Sequence, residues 1–177
     1  MSPESTWTTR DKIPETLFHA QNLIYKPCGF NYTGPIAEAE SSDYAAYKFE
    51  VNHLAVKYRE GKITPTKIGQ FVTLWKRLGK GPIQPFDHTD AIDLFIVSTR
   101  DGERFGQFIF PKQILLERGI LSTDQKEGKR AIRVYPPWNI TTSIQAQKTQ
   151  QWQLTWFLEI PVNHPIDLAR AKALYQS

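Results

Sequence analysis

The chain has 177 residues, 40% hydrophobic and 23% charged, which fits one globular core and excludes an intrinsically disordered protein. No apolar run approaches the ~18 residues of a membrane-spanning helix, the N-terminus MSPESTWTTRDKIPETL lacks a secretory leader's apolar stretch, and one cysteine forms no internal disulfide or thiolate cage. The formal net charge of +4 is modest, and a cytoplasmic protein without a membrane partner is expected.

Residues 1–12 are expected to be a flexible extension. Residues 14–25 (PETLFHAQNLIY) place Leu17, Phe18, Leu23 and Ile24 at helical spacing behind Pro14 and predict a short amphipathic helix. Residues 26–43 contain Pro27, Gly29, Gly34 and Pro35 and read as loop, where Cys28 has no evident activation and a packing role. Residues 47–51 and 54–58 predict a hairpin turning at Asn52-His53. Residues 71–75 (FVTLW) predict a strand, and the following GKGPIQPFDHTD is a loop because Pro82 and Pro85 forbid a regular helix.

Residues 92–98 and 104–110 predict two strands joined by the turn at 99–103. Pro111 opens the helix PKQILLERG, which Gly119 closes. Residues 131–135 predict a strand stopped by Pro136-Pro137. Residues 141–158 predict one long helix with Gln145, Gln147, Lys148 and Gln150 outward, and residues 166–175 a short helix after Pro165. This order predicts a mixed α/β (α+β) single domain over 1–177, with a central, largely antiparallel sheet flanked by helices. A short echo, Gly69-Gln70-Phe71 and Gly106-Gln107-Phe108, reads as shared strand-entry chemistry, with no internal duplication behind it.

Several chemistries find no support. Gly79-Lys80-Gly81 lacks the spacing and hydroxyl of a phosphate loop, and no G-x-G-x-x-G or G-x-S-x-G is present. His19, His53, His88 and His164 are scattered without metal-ligand spacing, and Asp87-His88-Thr89-Asp90 reads as a self-capping turn. No cofactor and no small-molecule ligand is expected.

Two readings remain. Between Lys57 and Lys80 there are seven basic residues and one acid, whereas residues 1–50 hold seven acids and four bases. Such asymmetry predicts an electropositive face whose partners are phosphate backbones or other anions. Lys62, Lys67, Lys76, Arg77 and Lys80 would neutralise phosphates, with Thr64 and Thr66 as hydrogen-bonding neighbours. Trp75, Tyr135 and Trp138 would stack on bases where exposed, although the spacing of Trp75 on its strand favours burial. Lys126, Lys129, Arg130 and Arg133 form a second basic cluster, followed by Gln145, Gln147 and Lys148. The same face would also serve an acidic protein partner. The other reading is a Mg²⁺-dependent nuclease, in which Asp43 and Glu60 hold the ion and Lys62 steadies the attacking water; Glu15 would add a carboxylate. Glu60-Gly61-Lys62 is equally a good turn sequence.

Taken together, KITPTKIGQFVTLWKR (62–77), PIQPFD (82–87), GQFIFPK (106–112), KEGKRAIRVYPPW (126–138) and AQKTQQWQ (146–153) resemble the MepB-like family over about residues 43–160. That family is named for a protein encoded beside a multidrug efflux pump and its repressor. The resemblance implies a restriction-endonuclease-like α/β fold, a cytoplasmic location and a nucleic-acid-binding role without a settled enzymatic activity. It supplies no catalytic set, so Asp43, Glu60 and Lys62 rest on spacing alone.

Overall fold

A computed structural model of the chain describes residues 13–176; the expected flexible extension, 1–12, lies outside them. Pro14 opens a helical run that begins as α1 (Glu15–Ala20), widens into a π-helical turn over Gln21–Tyr25 and ends as α2 (Lys26–Cys28). Gly29 stops it with φ 68°, a left-handed cap that glycine adopts without a Cβ clash. After β1 (Ile36–Ala37) and a 3-10 turn at Ser42–Tyr44, the chain forms the hairpin β2 (Tyr47–Val51) and β3 (Leu54–Glu60). Its turn has Asn52 at φ 51° and His53 at φ 66°, the paired left-handed conformation that matches strand twist.

Gly61 then carries the chain from one sheet into another. Its N–H still donates to the Ser98 carbonyl at 2.9 Å, while Lys62 and Ile63 form β4 of a separate small sheet. The strand expected over 71–75 is divided: β5 (Gln70–Thr73) joins the small sheet, and β6 (Trp75–Arg77) pairs with β7 (Ile83–Pro85). Leu74 marks the division, since its N–H donates sideways to the Arg130 carbonyl at 2.8 Å. The hairpin β8 (Leu94–Asp101) and β9 (Arg104–Pro111) follows, turning at Gly102-Glu103. Next come α3 (Lys112–Glu117), β10 (Ala131–Val134), α4 (Ile144–Leu154), β11 (Phe157–Glu159) and α5 (Leu168–Leu174).

The long helix expected over 141–158 stops early. Beyond Leu154 the chain turns, and residues 157–159 pair antiparallel with the free edge of β9, Phe157 opposite Phe108. Open backbone groups on that edge outweigh helix continuation for Trp156 and Phe157, both aromatic strand formers. Gly106 makes the approach feasible: a Cβ there would lie 2.2 Å from Phe157 Cζ.

The main sheet has six strands in the order β1-β2-β3-β8-β9-β11, antiparallel throughout except for β3 beside β8. This is the mixed, largely antiparallel sheet with flanking helices that the sequence predicts. Alternation along β8 sends Leu94 and Ile96 to one face and Phe95 and Val97 to the other, all fully buried. The first face packs under α1, the π-helical turn and α5, with Leu17, Ile24, Leu174 and Tyr175. The second packs under the small sheet β10-β5-β4 and α3, through Val72, Val134 and Leu115. Among the described residues no helix is long and apolar enough to cross a membrane.

A chain of buried polar groups threads the helical face. Tyr25 OH bonds Tyr175 OH at 3.1 Å, Tyr175 OH donates to Gln107 Oε1 at 2.7 Å, and Gln107 Nε2 donates to Ser98 Oγ at 3.4 Å. Ser98 Oγ bonds Tyr58 OH at 2.5 Å, Tyr58 OH donates to Thr16 Oγ1 at 2.7 Å, and the Thr16 hydroxyl donates to the Glu60 carboxylate. Burial pushes the phenols of Tyr25, Tyr58 and Tyr175 well up, so all remain neutral donors.

Two outcomes test this packing. Gly106→Ala forces the Phe157 ring off β9 and is expected to cost about 1–3 kcal/mol in urea unfolding. Ser98→Ala strips the middle of the polar chain, leaving Tyr58 and Gln107 each short of a partner, and is expected to cost about 1–3 kcal/mol by the same measurement.

Candidate nucleic-acid interface

The small sheet presents an outer face built by simple alternation. Val72, Ile132 and Val134 point into the core, so Phe71, Arg133 and Tyr135 fall on the opposite side. Helix α4 is tied beside this face. Ser143 caps it, accepting from the Ala146 N–H at 3.1 Å, and Gln153, only 1% exposed, docks it. The Gln153 amide accepts from Tyr135 N–H at 2.8 Å and donates to the Arg133 carbonyl at 2.9 Å, extending the ladder of β10 by one side chain. Between sheet and helix lies a cleft of about 440 Å³. Lys67, Arg118, Lys129 and Arg133 line it with Phe71, Tyr135 and Trp152, and no aspartate or glutamate does.

The cations are interleaved with rings. The Arg133 guanidinium sits 5.9 Å from the Phe71 ring centre and is steadied by Thr64 Oγ1 at 2.7 Å and the Ile68 carbonyl at 3.3 Å. Phe71 meets Tyr44 edge-on at 6.0 Å, and Lys62 Nζ lies 4.7 Å over Tyr44. On the other wall Arg118 covers Trp152 at 5.2 Å, and Phe110 packs against the indole at 5.5 Å. Cation–ring contacts of this kind hold the charges in place while leaving them unneutralised. Lys62, Lys67, Arg118 and Lys129 form no ion pair with any described residue. Two other depressions carry both signs: one of about 540 Å³ sets Lys48 and Lys57 against Glu50 and Asp90, and one of about 410 Å³ sets Lys126 against Asp87, Asp124 and Glu127.

The remaining expected residues are dispersed. Thr66 and Lys80 are exposed in loops, and Lys148 is exposed on α4 outside the cleft lining. Arg130 pairs with Glu127, and Arg77 pairs with Glu40 and covers the half-buried Trp75. Trp138 packs edge-on against Phe157 at 5.9 Å with its Nε1 buried, so its ring belongs to the core. The supposed catalytic set is divided by Gly61. Glu60 accepts from Thr16 on the helical side, whereas Lys62 stands over Tyr44 on the small sheet. Asp43 is exposed in the 3-10 turn, without a hydrogen bond to any described residue. Glu15 pairs with His19 and, at 3.7 Å, with Arg100. No three His, Cys, Asp or Glu side chains converge on a metal-sized site among the described residues. Sequence reasoning missed Arg118, Phe71 and Trp152; a lone arginine before a helix-capping glycine gives no signal of its own.

The MepB-like family model matches residues 38–159. The crystal structure of MepB superposes with a TM-score of 0.71 at 35% sequence identity, covering 75% of this chain and 88% of that one. The structure of a bacterial homing endonuclease, I-Ssp6803I, superposes with a TM-score of 0.42 at 14% identity, covering 76% of this chain and 86% of that one. That second likeness is too remote to bear on the chemistry of this chain. Comparison with curated protein sequences gave no match.

Lys76, expected on the binding face, is taken up internally. Its ammonium lies 2.9 Å from Asp87 Oδ2 and 2.8 Å from Asp90 Oδ2 and is largely shielded. Burial disfavours the Lys76 charge, but hydrogen bonds to Asp90 and Asp87 outweigh it and raise its pKa. The Thr89 hydroxyl and then Lys76 hold the Asp87 carboxyl well below the usual range. Lys76→Met is therefore expected to destabilise the fold by about 1–2 kcal/mol at neutral pH, since two carboxylates are left facing each other. A depressed carboxylate contributes stability that is full above the unfolded aspartate pKa and lost as pH falls through the folded one. The gap between wild type and variant should shrink below about pH 4, read by urea unfolding across pH.

Proposed function

This chain belongs to the MepB-like family, and we propose that it binds nucleic acid, DNA or RNA, through the cleft between the small sheet and α4 and through the cationic rim around it. The observation that carries this reading is a concave surface where four cations meet three aromatic rings and no carboxylate. Phosphates supply the anions such a site lacks, and bases supply π-faces for the rings. A metal ion would meet only repulsion there, and no reaction is assigned to the cleft. Lys62 and Thr64 extend the surface along the small sheet, so the basic run of the sequence contributes Lys62 and Lys67.

Binding of this kind releases counterions, so affinity for a labelled oligonucleotide should fall steeply with salt in fluorescence anisotropy. Reversing Lys67 and Lys129 to glutamate is expected to weaken binding by about tenfold or more and to flatten the log–log salt slope by about 2. Lys26→Glu, on the helical side, should leave the salt slope unchanged and shift the affinity by no more than about twofold. Equal affinity of the Lys67/Lys129 reversal and the wild type would remove the cleft from the binding surface.

A further inference from the structure

We infer that the cleft seats one unpaired nucleotide, so that the nucleic acid of the preceding reading, on which this inference rests, is single-stranded. The base lies against Tyr135 and the Arg118–Trp152 pair, and the flanking phosphates lie on Lys67 and Lys129.

The first ground is where the rings are. Phe71, Tyr135 and Trp152 are half-buried in the walls of a concavity instead of standing on an open ridge. In a duplex each base face is covered by its stacked neighbours, and only the edges show in the grooves. A paired base therefore has no face to offer a recessed ring; it must first leave the stack. The second ground is size. A cleft of about 440 Å³ falls in the range of pockets that enclose one small organic unit, not the flank of a helix.

The third ground is the order of groups along the cleft. Arg118, an exposed residue, covers the Trp152 ring at 5.2 Å, and the Phe110 ring backs the indole at 5.5 Å, tilted by 48°. A planar cation already held over an indole is a natural platform for the next π-system, a nucleobase. Gln145, at the start of α4, is exposed on the cleft lining with its side-chain amide unbonded to any described residue, and it can pair with a base edge as donor and acceptor. Lys67 and Lys129 are exposed lining residues without counterions, the arrangement a phosphodiester running past the pocket requires. Phosphate contacts alone would serve either form of nucleic acid; the recessed rings and the Arg118 platform serve only the unpaired one.

The test compares three labelled probes of about 12 units with the wild-type protein at low salt: a single strand, its duplex, and a strand with abasic positions that keeps every phosphate. The single strand is expected to bind about tenfold tighter than the duplex and about tenfold tighter than the abasic strand, as base stacking of ~1–3 kcal/mol requires. A 2-aminopurine placed mid-strand should change its fluorescence on binding. Arg118→Lys, which keeps the charge and removes the planar guanidinium, should lose most of the preference for the intact strand over the abasic one. Binding of duplex and abasic probes as tightly as the single strand, with 2-aminopurine silent, would overturn the unpaired-nucleotide inference and leave phosphate binding standing. No binding of any probe would overturn both.

Discussion

Because β8 and β9 carry apolar side chains on both faces, neither face of the main sheet can be left to water, and this requirement organises everything else. A one-sided sheet would show clean alternation of polar and apolar residues. Here Leu94, Phe95, Ile96 and Val97 are all at 0% exposure, as are Phe108, Ile109 and Phe110. The helices α1 and α5 cover one face. The other needs a second lid, and the chain makes it from the segment between β3 and β8 together with β10 and α4. The cleft lies within that lid, between the small sheet and α4, which is fastened to β10 at Gln153.

The two lids use opposite chemistry. The helical side hides a continuous polar chain that begins at Tyr25 and ends on the Glu60 carboxylate. Every donor in it has an acceptor, so the burial of three phenols, a serine and a glutamine carries no unsatisfied penalty along its length. Glu60 is thereby an acceptor at the end of a structural relay, with α1 and β3 bonded through it. The small-sheet side has no comparable chain. There Arg59 is buried against Phe95 and paired with Glu38, the cations of the cleft face outward among rings, and Gly61 is the hinge between the two regimes. An acid-x-lysine triplet that is contiguous in sequence is thus opened by the geometry of a sheet-to-sheet crossover.

Much of the fold was legible because its strongest signals are local. The hairpin at Asn52-His53, the turn before Arg104, and the Pro111 start and Gly119 end of α3 follow from turn and cap chemistry. What failed was competition between local and tertiary terms: residues 157–159 are helix-compatible until the edge of β9 is offered to them. The Gly-Gln-Phe echo has a physical basis that sequence could not give. Gly69 and Gly106 each lie under a ring, Tyr135 and Phe157, at distances that forbid a Cβ, and Gln70 and Gln107 are both buried. The site was half legible. Lys67, Lys129, Arg133 and Tyr135 stood out as basic or aromatic, but their convergence with Arg118 and Trp152 depends on strand pairing between residues sixty positions apart, as in Arg133 opposite Phe71.

Charge asymmetry in the sequence also has a more exact meaning in the structure. The basic run from Lys57 to Lys80 does not form one cationic face. Lys57 and Arg59 share Glu38, Arg77 takes Glu40, and Lys76 takes Asp87 and Asp90, so acids of the N-terminal third and of the 87–90 turn neutralise much of it. Arg59 shows the extreme: burial lowers its pKa and Glu38 pulls it back, making it a core group, beyond reach of any ligand. Of the members left unpaired, Lys62 is on the small sheet and Lys67 in its loop, on the side of Arg118 and Lys129, while Lys80 stands apart in the β6–β7 turn. Ion pairs fix the frame, and Lys67 is left to meet Arg118, Lys129 and Arg133 where no acid was placed. Net charge along the sequence counts both populations equally, but only the second can exchange its counterions for phosphates.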